Sequence, residues 1–189
     1  MFLVGVLVAG IAGTGYLWLR DSGRRQVWVA ASDLPAYRQF SPGDLRLAWI
    51  RAGELPRDSL GKDAVVVDRY SLSALRRGRP LPAATVGPAL PGGSLKGRSV
   101  VSLPASAADI GGALIARGGR IAVLLSSTAS EGPRNGVLND AFVLDVRPVG
   151  KQPDAFVVVL GVPAASESVL LAAGGTAKMF FVRTAEGSP

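Results

Sequence analysis

The side chains that could do chemistry in this 189-residue chain are carboxylates, arginines and lysines, because it contains no histidine and no cysteine. That composition excludes a thiolate nucleophile, a disulfide, a Cys/His zinc site, a histidine general base and a Ser-His triad. A phosphate-binding loop is also missing: Gly150-Lys151 lacks both the upstream glycine and the following hydroxyl. Paired carboxylates could serve glycoside hydrolysis. Asp140 and Asp145 stand five apart in a predicted strand, a spacing that points them to opposite faces. Asp63 and Asp68 share that spacing, while Asp33 and Asp44 sit where turns and caps favour aspartate. The carboxylates are therefore read as structural, and the chain as non-enzymatic and without a cofactor.

The positive charges form the other chemical feature. Twenty-one basic against 14 acidic residues leave a net charge of +7, which favours anionic partners such as a membrane surface or a wall polymer. Arg76, Arg77, Arg79, Lys96 and Arg98 make the cluster singled out as an anionic-surface contact. The competing reading is an ordinary solvated turn. Nucleic acid is not expected, since no basic helix with interleaved aromatics occurs and only 6% of residues are aromatic. Trp28, Trp49 and Phe40 are assigned to the core rather than to a sugar-stacking platform.

The elements that must position these residues are short. Apolar runs bounded by Gly, Pro, Asp and Ser predict strands at Val27–Ala31, Leu45–Ile50, Ala64–Val67, Ser99–Leu103, Arg120–Leu125, Ala141–Val146, Ala155–Val162 and Lys178–Arg183. Two short helices are predicted at Ala107–Ala116 and Ala164–Ala173, each ending at a Gly-Gly pair. Ser41-Pro42-Gly43-Asp44 has helix-start chemistry and predicts a single turn. Residues 87–96 hold two prolines and three glycines and read as a linker; residues 126–136 read as an exposed hairpin loop.

Met1–Leu19 carries no charge and, as a helix, would span about 28 Å, close to a bilayer's hydrocarbon core of ~30 Å. Tyr16 and Trp18 stand at interfacial positions, and Arg20, Arg24 and Arg25 follow. The run has no basic n-region, so it reads as an uncleaved anchor rather than a signal peptide. By the positive-inside rule the arginine flank would stay cytoplasmic. A basic segment upstream of Met1 would reconcile that rule with an outside domain.

A weak internal echo links Leu34-Pro35-Ala36 with Leu72-Ser73-Ala74, and Phe40-Ser41-Pro42 with Leu81-Pro82-Ala83, at offsets that slip from 38 to 41. The echo fits two strand–turn units about a pseudo-twofold, or coincidence between similar compositions. The stretch VWVAASDLPA (Val27–Ala36), then FSPGDL (Phe40–Leu45) and LRRGRPL (Leu75–Leu81), resembles SAF domains. Beyond the linker, GRSVVSL (Gly97–Leu103), ARGGRIAVLL (Ala116–Leu125) and the run Val137–Val146 resemble the second domain of the CpaB/RcpC family. Two departures stand out: Tyr37 replaces the first family glycine, and Gly119 and Ala122 stand where family members carry acids.

The resemblance implies a mainly β protein: a β-clip SAF domain and a second small β-rich domain with two short helices, behind a transmembrane helix. The expected division is an anchor at 1–20, a SAF domain at 27–86, a linker at 87–96, the second domain at 97–184 and a disordered tail at 185–189. It also implies a single-pass protein of the inner or cytoplasmic membrane, with its soluble part outside the cytoplasm. There it would act as a scaffold or assembly factor of a Flp-type (tight adherence) pilus or related secretion system. Its partners would be assembly proteins, a secretin where one exists, and further copies of itself. The alternatives are a generic SAF module binding cell-wall carbohydrate and a periplasmic chaperone.

Overall fold

Runs of valine, leucine and isoleucine between turn residues become strands because branched side chains pack well on a pleated, half-buried surface. In the computed structural model, which describes residues 23–110, 115–127, 135–150, 154–173 and 177–183, the chain is mainly β. Strand β1 (Arg24–Ala30) pairs antiparallel with β2 (Leu45–Arg51). Strands β3 (Arg98–Ser106), β4 (Arg120–Ser127), β5 (Asn135–Pro148), β6 (Ala155–Pro163) and β7 (Ala177–Arg183) form an antiparallel five-stranded sheet in the order β3-β6-β5-β4-β7. An α-helix, α1 (Glu167–Ala173), follows a 3-10 turn at Ala164–Ser166, as the Pro163 start signal predicts. The apolar run Met1–Leu19 and the tail lie outside the described residues, and among those no helix is long and apolar enough to cross a membrane.

The first unit is built on a pseudo-twofold with a constant spacing of 41 residues. Leu34 and Leu75 meet at its centre, each backbone N–H donating to the other's carbonyl at 2.8 and 2.9 Å. Around them the bonds repeat. Ala30 N donates to Arg79 O as Ser71 N donates to Arg38 O; Gly78 N donates to Ala30 O as Tyr37 N donates to Ser71 O. Tyr37 and Gly78 both have positive φ, 60° and 75°. Phe40 and Leu81 occupy matching places in a core shared with Ala30, Leu34, Leu75 and Val86. The slipping offset in the sequence is thereby corrected: Leu34 matches Leu75, not Leu72. Similar side chains misled the comparison, whereas the repeat lies in backbone turns that different side chains satisfy.

The Ser41–Asp44 turn forms, with Asp44 N donating to Ser41 O at 3.0 Å and Gly43 at φ 99°. Its cap runs the other way from expectation, because the Asp44 carboxylate accepts from Ser41 N at 2.8 Å. One other predicted element does not form, and a second is described only in part. Ala64–Val67 is not a strand: Ala64 N turns back to Gly61 O, and the Ala64 carbonyl is taken by the Trp28 indole, so no ladder can grow. Residues 107–110 make one turn anchored on Ser106, whose N and Oγ donate to the Asp109 carboxylate. Residues 111–114 of that predicted helix lie outside the described residues.

The five-stranded sheet is covered on both faces. Val158, Leu160 and Val162 of β6 join Val143, Val123 and the helix residue Leu170 in one core. Val159 faces the other way, packing with Phe142, Leu144, Tyr70, Leu72 and Leu90. This two-sided burial explains why β6 reads as an unbroken apolar run. Tyr70, Leu72 and Leu90 precede the sheet in sequence, so this cluster joins the first unit to the second. The segment 87–96 is irregular, as its prolines and glycines dictate, but it packs closely. Leu90 is buried, and a Cβ on Gly161 would come within 2.9 Å of Leu95.

Candidate functional site

The junction between the two units holds a cleft of about 560 Å3, lined by Tyr37, Arg38 and Gln39 from the first and Lys96, Arg98 and Gly161 from the second. Gln39 ties the rims together. Its Nε2 lies 3.2–3.4 Å from the carbonyls of Asp68, Leu90 and Pro91, and its Oε1 accepts from Leu95 N at 3.3 Å. Arg38 pairs with Asp44 at 3.3 Å and keeps about half its side chain exposed. Arg98 is largely buried, its guanidinium 4.9 Å from the centre of the Phe142 ring and bonded to Asp140.

Two aspartates of β5 organise the charges. Asp140, at φ 66°, binds Arg98 and Arg120. Burial alone would raise its pKa, but the hydrogen bonds and charges of the two guanidiniums outweigh it and hold the carboxyl below its ordinary range. Asp145 is almost wholly buried, and binds Arg117 at 2.7 Å and Arg147. Its Oδ2 also accepts the Tyr37 hydroxyl at 3.3 Å, while Arg147 reaches on to the Leu72 carbonyl at 3.1 Å. Burial, then the nearby Asp145 charge, push the Tyr37 hydroxyl above its usual pKa, keeping it a proton donor. The expectation of opposite faces fails for these aspartates. Leu144 has no register partner on β6, and that bulge resets the side-chain alternation. Each carboxylate is held by two guanidiniums, and both serve the side that carries Phe142 and Leu144.

The predicted basic cluster divides. Lys96, exposed, and Arg98 line the cleft. Arg76, Arg77 and Arg79 are exposed on the turn around Gly78, where Arg77 N donates to the Asp33 carboxylate at 2.7 Å; none of the three lines the cleft. Sequence reasoning missed Arg38, Gln39 and the Asp145 assembly. The one available signal was Tyr37, which stands where the SAF domains that the sequence resembles carry glycine. Gly119 and Ala122, the places where the family that the sequence resembles carries acids, also have a physical reading. Ala122 is buried, and a Cβ at Gly119 would meet the Ala116 carbonyl at 3.0 Å, so acids would fit poorly at either place.

The aromatic assignments need one correction. Phe40 is core and Trp28 is half-buried, its Nε1 donating to Ala64 O at 3.1 Å, but Trp49 is 64% exposed. It sits on β2 beyond the reach of the first unit's core.

Among the described residues no group of three or more acids is placed to hold a metal ion. The cleft is lined by the half-exposed Arg38 guanidinium and the exposed Lys96, with Phe40, Leu95 and Val100 beside them and one carboxyl, Asp68, an arrangement suited to holding an anionic or hydrogen-bonding surface. No family model, curated protein or solved structure matches this chain.

Proposed function

We propose that this chain is a membrane-tethered, non-enzymatic scaffold or assembly factor of the cell envelope, serving a Flp-type pilus or a related secretion system. The observation that carries the reading is the order of motifs: a charge-free run, SAF-like segments, then a CpaB/RcpC-like region. The fold supports it in one respect. The SAF-like stretches Val27–Ala36 and Leu75–Leu81 fall on the two halves of one pseudo-twofold unit, with Leu34 and Leu75 paired at its centre. In this reading the soluble part lies outside the cytoplasm, and binding is through β-rich surfaces to assembly proteins, a secretin among them where one exists. The test is deletion of the gene in its native host with surface pili counted by microscopy. Loss of pili, restored by the full chain, is expected; unchanged piliation rules the pilus role out.

A second reading has an observation of its own. The cleft lined by Arg38, Gln39 and Lys96 suits an anionic wall polymer, as a SAF-like carbohydrate-binding module would need. Sedimentation of the purified chain with isolated cell wall, abolished by Lys96→Glu, would favour it over the scaffold.

A further inference from the structure

The hairpin β1–β2 carries an exposed apolar face at the end where the chain enters it. By register Arg24 stands opposite Arg51, Gln26 opposite Trp49 and Trp28 opposite Leu47, and directly paired residues share a face of the sheet. Towards Ala30 and Leu45 that face runs into the core of the first unit. Towards Arg24 it is open, and Trp49 and Leu47 are 64% and 38% exposed. The Trp28 indole donates to Ala64 O, so the next residue, Val65, lies alongside; it and Val67 are about 70% exposed. An exposed tryptophan, a leucine and two valines are an unusual expense in water.

Two observations say what covers this face. The first is where the chain goes. Gly23 O accepts from Ala52 N at 2.7 Å, which holds the entry point at the open end of the hairpin. The charge-free run ends at Leu19, four residues before Gly23, a reach of at most about 14 Å. Gln26, opposite Trp49, is only three strand residues further, about 10 Å. The second is charge. Arg24 and Arg51 share the face with Trp49, Lys62 N bonds Gln26 O beside it, and Arg25 and Arg57 line a cavity of about 410 Å3 behind it. Arg51 pairs loosely with the exposed Glu54 at 3.9 Å, a contact that lipid phosphate can replace. Tryptophan within a basic rim is the chemistry of a membrane interface with anionic headgroups.

We propose that this face lies on the anionic lipid surface of the membrane that the N-terminal run enters, with Trp49 inserted at headgroup depth and Arg24 and Arg51 on lipid phosphates. The docking rests on the tethered reading above. It fixes the first unit against the bilayer and turns the Arg38–Lys96 cleft into a feature of a surface-bound, oriented molecule.

The full chain in liposomes containing phosphatidylglycerol tests this. Two single-tryptophan forms are compared: W18F/W28F, which keeps Trp49, and W28F/W49F, which keeps Trp18. Lipids brominated near the headgroup report contact by quenching. The expected result is a blue-shifted Trp49 emission, quenched by bromine, with the quenching lost in R24E/R51E and weakened at molar salt, where screening shortens to about 3 Å. Circular dichroism confirms that each variant stays folded. Unquenched Trp49 beside quenched Trp18 overturns the docking and leaves the tether intact. Unquenched Trp18 overturns the tether; Trp49 alone then decides whether the face binds lipid peripherally. A blue-shifted but unquenched Trp49 means that protein, a second copy or a partner, covers the face, and also overturns the proposal.

Discussion

At the scale of single residues, Tyr37 shows two costs in opposition. Its φ of 60° is a conformation that glycine adopts freely and that costs another residue about 1–2 kcal/mol. Against that stand its hydroxyl bond to the Asp145 carboxylate, worth about 1.5–3 kcal/mol, and the Arg147 guanidinium 5.9 Å from its ring. Gly78, at the symmetry-related position, reaches no such partner and stays glycine. Tyr37→Gly therefore lowers stability by about 1–3 kcal/mol despite relieving the backbone, because glycine also gains entropy in the unfolded chain. Urea unfolding measures this, and a more stable glycine variant would mean that the junction contacts are worth less than the strain.

At the scale of elements, the bulge in β5 decides which side of the sheet Asp145 serves. A strand of alternating residues would turn Leu144 and Asp145 to opposite sides of the sheet. The unpartnered Leu144 frees its own carbonyl from the ladder, and the buried Tyr70 hydroxyl takes it at 2.6 Å. Gly87 makes room for this, since any Cβ there would overlap the Tyr70 ring. Tyr70→Phe leaves a buried carbonyl without a partner and costs about 1–3 kcal/mol by thermal or chemical unfolding. Gly87→Ala displaces the ring and should reproduce much of that loss. The strands themselves were legible from composition and turn residues, to within a residue or a few at most ends. The bulge was not, because it is a mismatch between β5 and β6 that neither strand contains alone.

At the scale of the whole molecule, the two units are coupled by a buried charge. Asp145 sits in the second unit, yet Tyr37 and the Leu72 carbonyl bring the first unit to its arginines. Arg117 and Arg147 are each about half exposed, so losing Asp145 would let them return to water. Losing the arginines is worse, for the carboxylate has no such route. Arg117→Ala with Arg147→Ala should destabilise the chain by about 3–5 kcal/mol, and adding Asp145→Asn should recover a large part. Calorimetry is the measurement. A double variant that melts like the parent would mean that the apolar cluster of Tyr70, Leu90 and Phe142 alone holds the units together.

The sequence by itself determined that the chain is mainly β, that histidine and cysteine chemistry is closed to it, and where most strands begin and turn. Those properties are local: propensity, turn chemistry and composition act over a few neighbouring residues. The anchor expectation rests on the same kind of local signal, in a run outside the described residues. Only the tertiary structure decided that the repeat spacing is 41, that Arg98 and Arg76 serve different places, that a glycine position holds a tyrosine for Asp145, and that Trp49 faces outward. Each of these depends on pairing between residues far apart in the chain, through backbone bonds or desolvated charge, and such pairing leaves no periodic trace in one sequence.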